Sequence, residues 1–371
     1  LPLSLEKKSE SCPLRCPGCH SQHLDEKKSA RIKIQWLKNQ LNAWEDKFEP
    51  IMAKTGSDRL GYRNMVCLCS QWNGKKWDFG LRSGQTIVTI DTCPVHCASV
   101  NMASAVFSQI LPPENFFPLK YYVQSGSQIV LVLACSEMPD ISWFDNNIAD
   151  CLKQMGIQGL WLHLFPSAGK RVFAKQKWHI IWGKPRSRDV DGMLYGPTAF
   201  RQLIFDLHSH ALKRVLDFFN PGPEDKVVDL YCGTGRSLAA WTARKAAACG
   251  IEISAEAVEC ARLNAPGAIV LRGLCTHRIP QLDQWISGTN STARLVFANP
   301  PRTGLEPEIR KWIARQCRPQ KMAYLSCSAG TLQRDLKYLE ETGLMVSRIC
   351  PYDFFPNTRH VETCVMLERR L

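Results

Sequence analysis

The chain has 371 residues, with 47 lysines and arginines against 34 aspartates and glutamates and a formal charge of +13. That length is enough for two or more domains with a sizeable core, and the basic excess favours a polyanionic partner over an acidic one. The longest apolar run, Ile129–Cys135, falls far short of the roughly 20 residues that cross a bilayer, so no membrane-spanning segment is expected.

Residues 1–10 are too polar for a signal peptide. The 17 cysteines are mostly scattered. Several, such as Cys135, Cys249 and Cys364, sit in apolar runs as free thiols, which suits a reducing cytosol. Residues 1–24 carry the exception, Cys12-x3-Cys16-Pro17-Gly18-Cys19-His20. That spacing is ligand-like and suits zinc or an iron–sulfur cluster. From Glu26 to about Ala43 the pattern is helical, with Ile32, Ile34, Trp36, Leu37 and Leu41 on or near one face. Strands and tight turns are expected from Gly61 to about Ile90, with a hairpin turn at Trp72-Asn73-Gly74-Lys75. A helix follows over Ala98–Leu111, a hairpin over Tyr121–Cys135, a helix over Asp140–Met155 and a strand over Gly159–Phe165. Lys170–Arg188 carries seven basic residues and no acidic one, interleaved with Phe173, Trp178 and Trp182. It reads either as an RNA-binding surface with stacking aromatics or as a solvated hairpin whose aromatics point inward.

From Pro197 the texture changes. A helix is expected over Phe200–Phe219, ending at Asn220-Pro221-Gly222-Pro223. Strands and helices then alternate, which predicts a mostly parallel, doubly wound sheet. The first strand runs into Asp229-Leu230-Tyr231-Cys232-Gly233-Thr234-Gly235, where glycines allow close backbone approach to a ligand. The next ends with Glu252, placed to accept hydrogen bonds from ribose hydroxyls. Leu238 stands where a dinucleotide loop has its third glycine, and no Walker lysine follows. A ligand with ribose but no phosphate, such as S-adenosylmethionine (SAM), fits better than a dinucleotide; a tight turn with no ligand is the alternative.

Two short strands, Leu295–Ala298 and Met322–Leu325, lead into Asn299-Pro300-Pro301-Arg302 and Ser326-Cys327-Ser328. The prolines fix the turn that presents Asn299. In amino-methylating enzymes such a turn is followed by a stacking aromatic; Arg302 stands there instead. Cys327 precedes an expected helix, whose amino terminus can favour a thiolate for nucleophilic catalysis. Glu362 lies among residues that alternate toward an apolar interior. A carboxylate there is either a general base or a salt-bridge partner of an arginine such as Arg359.

Phe200-Arg201-Gln202, Asp229–Gly235, Gly250-Ile251-Glu252, Asn299–Gly304, Leu325–Cys327 and Phe355–Glu362 together resemble the RNA uracil-5-methyltransferase family, in its order and spacing. The resemblance implies an α/β chain, with a Rossmann-like SAM-dependent methyltransferase domain (191–371) preceded by a β-rich α+β domain (1–190) that contacts RNA and bears an iron–sulfur cluster. Cys327 is the implied nucleophile and Glu362 the base, with Gln202, Tyr231, Gly233, Gly235, Glu252 and Asn299 in the SAM site. A [4Fe-4S] cluster is implied on Cys12, Cys16, Cys19 and Cys93, the last followed by Pro94; zinc is the alternative. Asn299 where Asp is usual, and Gly250–Ile253 followed by Glu256-Ala257, point to a branch that methylates 23S rRNA in the cytoplasm. Another 23S uridine, a tRNA T-loop uridine and a catalytically silent RNA-binding iron–sulfur protein are the rivals. Neither a membrane nor a protein partner is implied.

Overall fold

The structure is a computed structural model describing residues 12, 16–21, 24–287 and 293–370. Gln22 and His23, beside the cysteine motif, lie outside the described residues. In chain order the first elements are α1 (Glu26–Gln40), β1 (Met65–Trp72), β2 (Trp77–Ser83), β3 (Thr86–Thr89), α2 (Ala98–Ile110), β4 (Leu119–Ser125), β5 (Gln128–Leu133), α3 (Asn146–Gln154), β6 (Gly159–Leu164), β7 (Trp178–Gly183), β8 (Ser187–Arg188) and β9 (Leu194–Tyr195). Then come α4 (Phe205–Phe219), β10 (Asp225–Leu230), α5 (Arg236–Ala243), β11 (Ala247–Glu252), α6 (Ala255–Asn264), β12 (Ile269–Arg272) and α7 (Ile279–Ser287). The last are β13 (Ala293–Ala298), α8 (Pro307–Trp312), β14 (Lys321–Ser326), α9 (Ala329–Glu341), β15 (Leu344–Tyr352) and β16 (Glu362–Arg369).

These form two compact units: Thr55–Thr198 with the residues before Asp25, and Ala199–Leu371 with Asp25–Lys54. A single cut at residue 190 therefore misplaces residues 25–54. They join the carboxy-terminal unit because Leu37, Leu41 and Trp44 share a buried cluster with Val228, Leu230, Val296 and Tyr324. The buried face of α1 also differs from the expected one. Ile32 and Trp36 are 50% and 46% exposed, while Ser29 and Lys33 are buried beside Leu37.

In the first unit the described residues form a seven-stranded sheet in the order β3-β2-β1-β4-β5-β6-β7, antiparallel except between β5 and β6, and a separate antiparallel pair, β8-β9. Period-2 alternation sends Tyr122, Leu131 and Leu162 to a face covered by Val100, Ala103 and Phe107 of α2. Tyr121, Val123, Val130 and Val132 go to the opposite face, packed with Phe173 and Trp178. Trp178 also stacks on His163, with ring centroids 4.0 Å apart. The aromatics of the basic hairpin thus pack inward, Trp182 included, while Lys170, Arg171, Lys175, Lys177 and Lys184 are exposed.

The second unit holds a sheet in the order β12-β11-β10-β13-β14-β16-β15, parallel except where β16 runs antiparallel to both neighbours. Its central strands are near-continuous apolar runs because both faces are covered. Chain order reverses between β10 and β13, the point in such sheets where ligands bind beyond the strand ends. Two helices begin later than expected. Asp145 caps α3 by accepting from the Ile148 N–H, at 2.9 Å, and residues 200–204 precede α4 without joining it.

Candidate active site

Three loops meet at the carboxyl end of the second sheet. The first follows β10. Tyr231 has φ 61°, rare for a non-glycine, with Gly233 at 55° and Gly235 at 83°. A Cβ added to Gly235 would lie 2.8 Å from Ala261 Cα, so the close approach of α6 excludes a side chain there. At Gly233 a Cβ would meet no atom within 4 Å: the turn faces open space. Glu252, at the end of β11, accepts the Gly233 N–H at 3.1 Å and the Ser254 N–H at 2.8 Å. Each of its oxygens keeps a further lone pair for a ligand hydroxyl. The Tyr231 hydroxyl donates to Glu306. This cradle fits SAM: an open glycine turn at the switch point beside a carboxylate at the end of the adjacent strand.

The second loop follows β13. The Asn299 N–H donates to the Leu230 carbonyl at 3.2 Å, tying the turn to the tip of β10. Asp335 of α9, fully buried, accepts from the Leu305 N–H at 2.9 Å and the Tyr324 hydroxyl at 2.8 Å, and pairs with Arg310 and Arg334. Thr331 Oγ1 donates to the Arg302 carbonyl at 3.1 Å. The stretch from Asn299 to Leu305 is therefore fixed at both ends and in the middle.

The third part comes from β14 and β16. Their antiparallel register pairs Ser326 with Thr363, so one step further Cys327 lies opposite Glu362. Glu362 is 3% exposed, and burial pushes its carboxyl up to about 7 against two opposing effects, a hydrogen bond from Gln202 and the positive charge of Arg302. The Gln202 bond, Nε2 to Oε2, is 3.1 Å. The Cys327 thiol is raised, first by burial and then by Glu362; the Arg302 guanidinium, which hydrogen-bonds it, lowers it. The thiolate-favouring effect expected at a helix amino terminus is thus outweighed by burial and by the facing carboxylate.

Sequence comparison agrees with this geometry. A family profile described as tRNA (Uracil-5-)-methyltransferase matches residues 281–370. A 23S rRNA (uracil(1939)-C(5))-methyltransferase RlmD of Marinomonas sp. is 26% identical, over 96% of this chain and 79% of its own. An uncharacterized RNA methyltransferase of Thermosynechococcus vestitus is 24% identical, over 95% of this chain and 82% of its own. Among solved structures, the tRNA (uracil-54, C5)-methyltransferase of Pyrococcus abyssi, in complex with S-adenosyl-L-homocysteine, shares the fold with a TM-score of 0.71. It is 24% identical and covers 95% of this chain and 86% of its own.

Over nearly its whole length the chain is similar to RNA uracil-5-methyltransferases. Its second unit has the Rossmann-like α/β fold of SAM-dependent methyltransferases.

Among the expected site residues, Gln202 is found against Glu362, while Tyr231, Gly233, Gly235, Glu252 and Asn299 line or brace the glycine turn. Sequence reasoning left out Arg302, which faces both Cys327 and Glu362. A signal for it existed. A half-buried thiol and a buried carboxylate side by side call for a nearby cation, and the rigid Pro-Pro turn ends in one. Asp335 gave no signal, because its role depends on contacts between loops.

The cysteine motif lies in the first unit. Burial pushes Cys19 up to about 11, with Cys93, Cys16 and Cys12 adding to the rise and Arg63 opposing it. The four thiols thus share one neighbourhood. Among the described residues, however, no three His, Cys, Asp or Glu side chains form a metal-binding group. The Cys93 backbone is held on both sides by the Asn101 amide, at 3.1 and 3.0 Å.

Proposed function

We propose that this enzyme methylates carbon 5 of a uridine in 23S rRNA through a covalent bond between Cys327 and carbon 6 of the base. The observation that supports it most is the register of β14 and β16, which sets Cys327 opposite Glu362 with Arg302 facing both. The Cys327 thiolate adds to carbon 6, and the electrons of the 5,6 double bond move toward carbon 5 and the carbonyl at carbon 4. The SAM sulfonium supplies the methyl group that carbon 5 takes up, its S–CH3 bond breaking to leave the thioether. Glu362 removes the proton from carbon 5, the double bond re-forms and the Cys327 sulfur leaves. One difficult substitution becomes several easier steps. Arg302 stabilises the thiolate before addition and after release. Gln202 holds the Glu362 carboxylate toward the base. The glycine turn, Tyr231, Glu252 and Asn299 would hold SAM. To reach Cys327, the uracil must be unstacked, in a loop or flipped out.

Asn299 in place of the usual Asp, the Gly250–Ile253 stretch and the RlmD relative support 23S rRNA as the substrate. The branch resembled most is RlmC, with uridine 747 as the target. Offering unmodified 23S rRNA and tRNA separately, then assaying 5-methyluridine by mass spectrometry, tests this: product confined to tRNA would overturn the substrate. RNA carrying 5-fluorouridine tests the mechanism. It should trap the parent as a denaturation-resistant adduct and leave Cys327→Ala free, and a trapped alanine variant would rule out Cys327 as the nucleophile.

Cys12, Cys16, Cys19 and Cys93 are proposed to hold a [4Fe-4S] cluster, with zinc as the alternative. Their shared neighbourhood in the first unit and the doubly held Cys93 turn support this. Anaerobic preparations should contain iron and sulfide, and Cys93→Ala should lose both. Zinc without iron would replace the cluster assignment.

A further inference from the structure

Lys33 is an unusual residue to find on the buried face of α1. It is 3% exposed, and its ammonium reaches Asp353 Oδ1 at 2.6 Å and the Phe355 carbonyl at 3.1 Å. Asp353 is also 3% exposed. Removing a lysine from water is costly unless it is paired and hydrogen-bonded, so a purely apolar contact would pack α1 as well. What Lys33 touches is specific. The Phe355 carbonyl also accepts the Thr358 N–H at 3.2 Å and the Thr358 hydroxyl at 2.8 Å. The same hydroxyl accepts the His360 N–H at 3.1 Å. Asn357, with φ 66°, reverses the chain between them. This turn delivers Val361 and Glu362 into β16. The Asp353 N–H is held as well, by the Met52 carbonyl at 2.8 Å.

We infer that Lys33 is a positioning residue for Glu362: its ion pair with Asp353 and its bond to Phe355 fix the 353–361 turn, and so the angle at which the carboxylate meets carbon 5. The inference rests on the proposed role of Glu362 as the base. Charge, not bulk, is what the turn requires, because the groups that Lys33 contacts are a carboxylate and a carbonyl already engaged by Thr358.

Lys33→Met alone leaves Asp353 buried without its partner and invites unfolding. The test therefore uses Lys33→Met with Asp353→Asn, which removes both charges at nearly constant volume, beside Glu362→Gln and the parent enzyme. The expected double variant melts cooperatively and binds S-adenosylhomocysteine within about twofold of the parent. Its turnover falls at least tenfold with little change in KM for RNA, and methylated RNA–protein adduct accumulates on denaturing gels. Such accumulation marks slow removal of the carbon-5 proton, which general loosening of the fold does not produce. Turnover like the parent's without adduct, while Glu362→Gln accumulates it, would overturn the inference. So would loss of S-adenosylhomocysteine binding in the double variant, which would make the pair merely structural. Absence of adduct in Glu362→Gln would instead remove the base assignment on which the inference stands.

Discussion

Glu362 carries its proton to about pH 7 because burial disfavours the charged form more than Gln202 and Arg302 restore it. In the unfolded chain the same carboxyl ionises near 4.5. As pH rises between these values the unfolded chain releases the proton first. Stability contributed below 4.5 is lost through this window and stays lost above about 7. The cost is on the order of 3 kcal/mol. Glu362→Gln is therefore expected to be the more stable protein at about pH 8, by up to roughly that amount, with the difference closing by about pH 4 in denaturant titrations. Turnover of the parent should rise through about pH 7 as the carboxylate forms. A flat rate profile there would mean that another group takes the proton. Glu362 stands out in the sequence because a carboxylate amid apolar neighbours needs a reason, and Cys327 because it follows a strand beside the Asn-Pro-Pro turn and precedes an expected helix. The helix amino terminus suggests a lowered thiol at Cys327; burial first, and then the cross-strand Glu362, reverse the sign.

At the level of elements, the glycines of the site do different work. Gly304 has φ 74°, and a Cβ there would lie 2.6 Å from Asp335 Oδ2. Gly304→Ala should destabilise by about 1–3 kcal/mol and displace the turn that carries Arg302, lowering turnover more than SAM affinity. Gly235→Ala meets the backbone of α6 and should weaken S-adenosylhomocysteine binding when measured by calorimetry. Unchanged binding would mean that the loop relaxes freely. The alternation of strands and helices after Pro197 was readable because parallel strands buried on both faces leave unbroken apolar runs. The start of α4 was not, since Phe200-Arg201-Gln202 looks helical locally and is held instead by Gln202 reaching Glu362, 160 residues away. The face of α1 was misread for a related reason. Hydrophobic periodicity cannot anticipate a buried Lys33 whose partner, Asp353, is 320 residues distant.

Over the whole molecule the charge of +13 implies RNA binding that weakens steeply with salt. Each neutralised phosphate on a single strand contributes about −0.7 to the log–log slope. Replacing three of the exposed hairpin cations, Lys170, Arg171 and Lys175, by Gln should reduce that slope by about 2 if all three reach phosphates. An unchanged slope would place the RNA elsewhere. Composition announced a polyanionic partner but not the surface, because the hairpin's aromatics were needed for the first unit's own core.

The pairing of residues 48–52 has a consequence for solubility. β15 is the last strand of the second sheet, and Phe48 and Met52 bridge in parallel to Ile349 and Tyr352 along its outer side. The Glu49 and Met52 N–H groups donate to the Ile349 and Pro351 carbonyls, each at 2.9 Å. This segment caps an edge that would otherwise offer unpaired backbone groups to any passing strand. A catalytic unit cut to begin at residue 199, however intact its active-site loops, would have an open sheet edge and should self-associate, whereas the same unit supplied with residues 25–54 should stay dispersed.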